Sequence, residues 1–206
     1  MADDALEYSL ESRTDMVDED EGLVSAARED PEAAGRLYDK YYSEVLGYIY
    51  HCTFDHAAAE DLTSNVFLAA LRHLGRYRWQ RVPLRAWLYR IATNEVRMYW
   101  RRQKRVKAIR VGPDSSQSEQ STLRQGTAPP ADDSLAAAEQ YRLLHQALLQ
   151  LRMKYRTVII LCYFEDKAMA EICEITGRKE GTVKSQLHRG LAQLQDILVR
   201  WGVLPE

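Results

Sequence analysis

Residues 165–194, EDKAMAEICEITGRKEGTVKSQLHRGLAQL, leave few folds open. They read as two short helices joined by a tight turn at Gly177. Ile172 and Ile175 supply the apolar side of the first helix. Val183, Leu187, Leu191, Leu194 and Leu198 recur at steps of four, four, three and four on the second, which is one buried stripe. Opposite the stripe lie Lys184, Ser185, His188 and Arg189, with Thr182 at the helix start. A helix with one face on a small core and the other cationic and hydrogen-bonding is suited to a DNA major groove. The same spacing also describes an ordinary amphipathic surface helix.

A second stretch favours the nucleic-acid reading. Residues 72–110 carry thirteen Lys or Arg against one acid, Glu95. Tyr77, Trp79, Trp87, Tyr89, Tyr99 and Trp100 are interleaved with them. Cations bind phosphate and release counterions, and flat rings stack on exposed bases. The net charge of −2 conceals this, because residues 1–62 hold seventeen acids against four bases. Such segregation suggests one face for a cationic protein partner and another for nucleic acid.

No apolar run approaches the roughly 20 residues needed to cross a bilayer. The start, MADDALEYSLES, lacks the basic and apolar regions of a secretory signal, so a cytoplasmic location is expected. Cys52, Cys162 and Cys173 form no CxxC pair and read as buried free thiols. His51, Cys52 and His56 suggest a metal, but on a helix His51 and Cys52 point about 100° apart, and no metal or cofactor is expected. Nor is an enzyme, since there is no glycine-rich phosphate loop or carboxylate cluster, and Ser185 has no evident base.

The chain divides by composition. Residues 1–19 are too charged to bury anything and are expected to be disordered. Residues 20–110 read as an all-α bundle. Leu23, Val24 and Ala27 lie on its first helix, and Pro31 opens a second with Leu37, Tyr41, Val45 and Tyr48 inward. Asp55 caps a third with Leu62, Val66, Ala69 and Leu74 inward, and Pro83 opens a fourth running to about Trp100. Residues 111–134, rich in Ser, Gln, Gly and Pro, read as a flexible linker. Helices resume near Leu135, a further one covers Tyr155 to Phe164, and the second domain ends near 201. Two small helical domains on a tether is the expected fold.

Several segments together resemble the extracytoplasmic-function sigma factors, the smallest members of the sigma-70 family. AAAEDLTSNVFLAALRHLGRYR resembles their polymerase-docking helix, and PLRAWLYRIATNEVRMYWRRQKR their promoter-melting part. YRTVIILCYFEDKAMAEICEITGRKEGTVKSQLHRGLAQLQ resembles their fourth domain. The resemblance implies a non-enzymatic protein that binds core RNA polymerase through the β′ clamp helices and β flap, reads the −35 and −10 promoter elements and opens the duplex. It implies docking through Glu60, Asp61, Ser64, Asn65, Val66 and Phe67, with core packing as the other use of the last two. It implies −10 contacts and melting by Tyr77, Arg78, Trp79, Asn94, Arg97, Arg101, Arg102 and Arg105. Trp87 and Trp100 are expected to pack. Members of the family are often restrained by an anti-sigma protein. A stand-alone helix-turn-helix regulator is the alternative, but it leaves the acidic helix and the aromatic basic stretch unused.

The chain departs from the family at Lys167 and Thr176, where leucines are common, at Ala168, where serine is, and at Lys179, where a capping residue is. It also carries RWQRVP in place of a loop bearing Gly and Asp. Loss of an N-cap costs about 0.5–2 kcal/mol, and a polar residue in place of a buried leucine costs more.

Overall fold

The computed structural model describes residues 20–77, 82–110 and 135–204. The expectations of disorder in 1–19, of a linker at 111–134 and of melting contacts by Arg78 and Trp79 lie outside these residues.

Helix α1, residues 20–26, is followed by α2 (Pro31–Thr53), α3 (His56–His73), a 3₁₀ turn (Leu74–Arg76) and α4 (Leu84–Arg110). Local chemistry sets the ends. The Asp30 carboxylate accepts from the Glu32 N–H at 2.9 Å beside Pro31 in the first turn, and Asp55 accepts from the Ala58 N–H at 3.1 Å. Helices α2, α3 and α4 pack on one another around Leu37, Tyr41, Val45, Tyr48, Leu62, Val66, Leu84, Leu88 and Val96. In α3 the inward places go to Phe67 and Ala70, and Ala69 is only half-buried. Tyr48 and Thr93, both buried, share a hydrogen bond of 2.9 Å, and Thr93 donates to the Tyr89 carbonyl at 2.8 Å.

The second group comprises α5 (Leu135–Gln150), α6 (Met153–Tyr163), α7 (Met169–Thr176) and α8 (Glu180–Arg200). Gly177 ends α7 at φ 65°, the left-handed value that glycine adopts without strain. Ile172, Ile175, Val183, Leu194 and Leu198 are buried as the spacing predicts, but Leu187 and Leu191 sit half-buried at the edge of the stripe. Gly190 and Ile197 take deeper places. A Cβ on Gly190 would stand 3.0 Å from Ile159 Cδ1 and 3.1 Å from Tyr155 Cβ, so α8 crosses α6 at a point where a side chain would press on both.

The two helical groups expected from the sequence are both present, and they also touch each other. Val158, Ile160 and Leu161 of α6 belong to the same buried cluster as the core of α2–α4, while Tyr155 and Ile159 of the same helix pack with Leu148, Leu194 and Ile197. Helix α6 is buried on two sides, with Lys154 and Tyr163 left exposed. The two helical groups are packed together.

Beside that seam lies a cluster of rings from α2, α5 and α6: Tyr50, His51, Phe54, Tyr141, His145 and Phe164, with His145 stacked on Phe54 at 4.3 Å. His145 is 1 % exposed and neither ring nitrogen has a protein partner. Burial, and secondarily His51, pushes its pKa down to about 4. Between that value and the unfolded one near 6.5, the unfolded chain binds the proton and the folded chain does not. Stability therefore falls as pH drops from about 6.5 to 4, by up to about 3 kcal/mol from this group. In urea titrations across that range, His145→Leu should show a shallower loss of unfolding free energy than the native chain. Parallel slopes would mean that His145 does not carry the effect.

Candidate nucleic-acid interface

Two cationic surfaces follow from the fold. On α8, Thr182, Lys184, Ser185, His188 and Arg189 are all exposed, so the helix presents together the five side chains expected there. Lys184 Nζ is 2.6 Å from a carboxylate oxygen of Glu180, one turn earlier. Among the described residues, Arg189 meets no carboxylate within ion-pair distance.

The second surface is on α4. Arg90, Asn94, Arg97, Arg101 and Lys104 recur at helical spacing and line one side of a cleft of about 690 Å³. Arg97 donates to the exposed Asn94 amide oxygen at 3.1 Å. Lys154 of α6 and Arg178, just past α7, line the other side. Arg102 and Arg105 are exposed but do not line this cleft. Tyr77 departs from its expected role. It is 5 % exposed, its ring lies 4.8 Å from Trp87, and its hydroxyl donates to the Val82 carbonyl at 2.7 Å. A tyrosine fixed in this way is not available to stack on a base. Trp100 packs as expected, donating from Nε1 to the Cys52 carbonyl at 3.3 Å.

Docking residues divide similarly. Glu60, Asp61, Ser64 and Asn65 are exposed on α3. Val66 and Phe67 are 0 % and 3 % exposed and belong to the core, which removes them from a contact surface. Leu68 and Leu71, at 52 % and 42 % exposed, are the apolar residues this helix offers to solvent. With Asp61 and Ser64 they fall at helical spacing on one face. The residue-type pattern alone did not separate these leucines from the core.

The contacts between the two helical groups also escaped the sequence reading. The Glu165 carboxylate, 9 % exposed, accepts from the Tyr89 hydroxyl at 2.8 Å and lies 3.0 Å from His51 Nδ1. Burial, then the Glu165 charge, raises the pKa of the Tyr89 hydroxyl. Arg90 Nε donates to the Glu174 carbonyl, and the Arg156 guanidinium lies 4.7 Å over the Trp100 ring. Lys167 Nζ is 3.7 Å from Glu44 and 4.9 Å over the Tyr89 ring. The thiols follow burial: Cys52 is enclosed and its pKa is pushed up to about 12, while Cys162 and Cys173 are only half-buried.

Two of the departures from the family pattern have structural accounts. Lys167 faces α2 and α4, where leucine would forgo its ion pair. Thr176 donates to the Ile172 carbonyl at 2.7 Å, so its hydroxyl is not left unsatisfied. Ala168 and Lys179 occupy N-cap positions without a side-chain cap, although Glu171 accepts from the Ala168 N–H at 3.1 Å.

Residues 37–106 match the family model for sigma-70 region 2, and residues 141–194 that for sigma-70 region 4. The chain is 33% identical over 168 residues to the ECF RNA polymerase sigma factor SigL of Mycobacterium tuberculosis, covering 81% of this chain and 89% of SigL. The chain belongs to the extracytoplasmic-function sigma factors of the sigma-70 family. It is 31% identical over 169 residues to the ECF sigma factor BldN of Streptomyces coelicolor, which takes in 81% of this chain but only 61% of BldN. The solved structure of CnrH in complex with the cytosolic domain of CnrY shares the fold, with a TM-score of 0.62 at 21% identity over 86% of this chain and 96% of CnrH.

In this sigma factor the uncapped α7 gives a direct test of the local energetics. Ala168 has the extended backbone of a cap, φ −63° and ψ 153°, and Glu171 already supplies the reverse bond. Ala168→Ser should complete a capping box and raise the unfolding free energy in urea by about 1 kcal/mol. An unchanged midpoint would place the α7 start outside the cooperative unit.

Proposed function

We propose that this chain is an alternative sigma factor that docks on core RNA polymerase in the cytoplasm, directs initiation at its own promoters and performs no chemistry itself. Residues 20–110 serve docking, −10 recognition and melting; residues 135–201 serve −35 recognition; residues 111–134 link them. The observation that carries the reading is the pairing of a helix-turn-helix whose α8 face is fully exposed with a separate basic row on α4, in a chain that contains both sigma-70 regions. Asn94, Arg97 and Arg101 act at the −10 element, joined by Arg102 and Arg105 on the backbone, with Arg78 and Trp79 contributing to melting. Glu60, Asp61, Ser64 and Asn65, with Leu68 and Leu71, meet the β′ clamp helices, and an anti-sigma protein is the expected class of antagonist.

Geometry then requires the two groups to part. Elements centred some 25 base pairs apart are separated by about 85 Å of duplex at 3.4 Å per pair. A compact chain of this length has a radius of gyration of roughly 17 Å and cannot reach both. The 24 residues 111–134 reach at most about 80 Å when fully extended, which brings the two sites within range once the α6 seam opens.

Two outcomes follow. Replacing Asp61 with Lys and Ser64 with Arg, both exposed, should leave helicity and the urea midpoint unchanged. It should abolish co-elution with core polymerase, because like charges at an interface cost several kcal/mol. Undiminished co-elution at moderate salt would favour an independent DNA-binding regulator. Arg189→Ala should relax preference at one base position of the −35 element, at about 1–3 kcal/mol, in binding assays with single-base promoter variants. Uniform weakening across all variants would instead make Arg189 a phosphate contact.

A further inference from the structure

The cleft between α4 and the α6–α7 end is lined by Arg90, Arg97, Arg101, Lys104, Lys154 and Arg178, and no carboxylate lines it. Among the described residues, none of the six has an acidic oxygen within ion-pair distance, although many other cations of the chain do, including Lys40, Arg85, Lys167 and Lys184. Packing the two helical groups together thus gathers six positive charges around one groove and provides nothing on its walls to balance them. A groove of this kind favours a polyanion.

The chain carries one. Residues 1–19 hold Asp3, Asp4, Glu7, Glu11, Asp15, Asp18 and Glu19 against the single base Arg13. That net of six negative charges equals the number of cations in the cleft. We propose that this amino-terminal segment occupies the cationic cleft in the free chain and competes there with promoter DNA. Its point of attachment is fixed, because Asp20 accepts from the Tyr41 hydroxyl and lies 2.9 Å from Lys40. One turn along α2, Glu44 pairs with Arg85 near the start of α4. From Arg85 to Arg97 is about 18 Å of helix, and to Lys104 about 28 Å. Nineteen extended residues reach about 60 Å, so the whole cleft is accessible. A tether of this length supplies a local concentration in the millimolar range, and weak individual contacts are enough. The α4 side of the cleft carries Asn94, Arg97 and Arg101, so occupation covers the surface assigned above to the −10 element. The inference rests on that assignment only for its consequence, and occupation itself is measured without polymerase or DNA.

The test uses the full chain with p-benzoylphenylalanine in place of Tyr8, irradiated at low micromolar concentration. Adducts are expected in peptides holding residues 97–104, 153–157 or 176–178, and should fade in 0.5 M salt and with Lys154→Ser. Adducts mapping elsewhere, or none above the intermolecular background, overturn the proposal. A second variant keeps the length and removes the charge: D3N, D4N, E7Q, E11Q, D15N and D18N together. It should bind promoter DNA about 3- to 30-fold more tightly than the native chain at 50 mM salt, with the difference closing at high salt. Equal affinities overturn the proposal. A short inorganic polyphosphate gives the third arm. Equal binding by the native and amidated chains would mean that the cleft stands open to small anions, and would also overturn it.

Discussion

The fold turns on the burial of α6 from two directions. Val158, Ile160 and Leu161 lie in the cluster that joins the core of α2–α4 to Ile172, Ile175 and Val183 of the helix-turn-helix, and Tyr155 and Ile159 pack with α5 and the later part of α8. Burying such side chains contributes about 1.5–3 kcal/mol each relative to exposure. The α6 side chains in the cluster shared with α2–α4 therefore contribute several kcal/mol before any polar contact is considered. The absence of a side chain at Gly190 lets α8 close onto the other side of the same helix. With α6 fixed, the turn at Gly177 and the exposed face of α8 have a rigid base, and Lys154 and Arg178 are placed opposite the basic row of α4.

The polar part of this seam is less favourable than its apolar part. Arg156 is 3 % exposed, and its partners are a carbonyl, a thioether and the face of Trp100, with no carboxylate and with Nε unpartnered. Burial lowers its pKa, the direction expected when desolvation opposes the charged form. Glu174 Oε2 and both nitrogens of His145 are likewise buried without partners. Buried groups without hydrogen bonds cost about 1–3 kcal/mol each, which offsets a comparable part of the apolar gain. The seam is thus closed by hydrocarbon and weakened by misplaced polarity. That balance suits an interface which must hold in the free chain and release when a larger partner competes for its two halves.

Much of this was legible in the sequence because it is local. Caps at Asp30 and Asp55, the first-turn proline, the turn glycine and the exposed row on α8 each depend on a few adjacent residues. The docking helix was legible only in part. Spacing put Val66 inward while the family resemblance gave Val66 and Phe67 to docking, and the turn of the helix carries both inward and leaves Leu68 and Leu71 outside. Tyr77 reads as a stacking ring by composition, and only its hydrogen bond to Val82 and its contact with Trp87 reveal that it is fixed in place. The seam was not legible at all. A run such as Val158 to Leu161 says that a helix is buried all round, but does not say which elements cover it.

One class of signal was present and pointed to the seam without naming it. Lys167 departs from the leucine that the family resemblance implies, and as an isolated departure it suggests a weakened helix-turn-helix. In the structure its ammonium group reaches Glu44 and the face of Tyr89, both in the other helical group, and the adjacent Glu165 carboxylate reaches His51 and Tyr89. Two residues ahead of α7 therefore bind across to α2 and α4. An unfavourable substitution at the start of a helix makes physical sense once its partner lies elsewhere in the chain. The same logic applies to the charge segregation. A chain whose acids gather at one end and whose bases gather around one groove has, in solution, an intramolecular contact ready to form. Polymerase and promoter must overcome that contact as well as the hydrocarbon of α6.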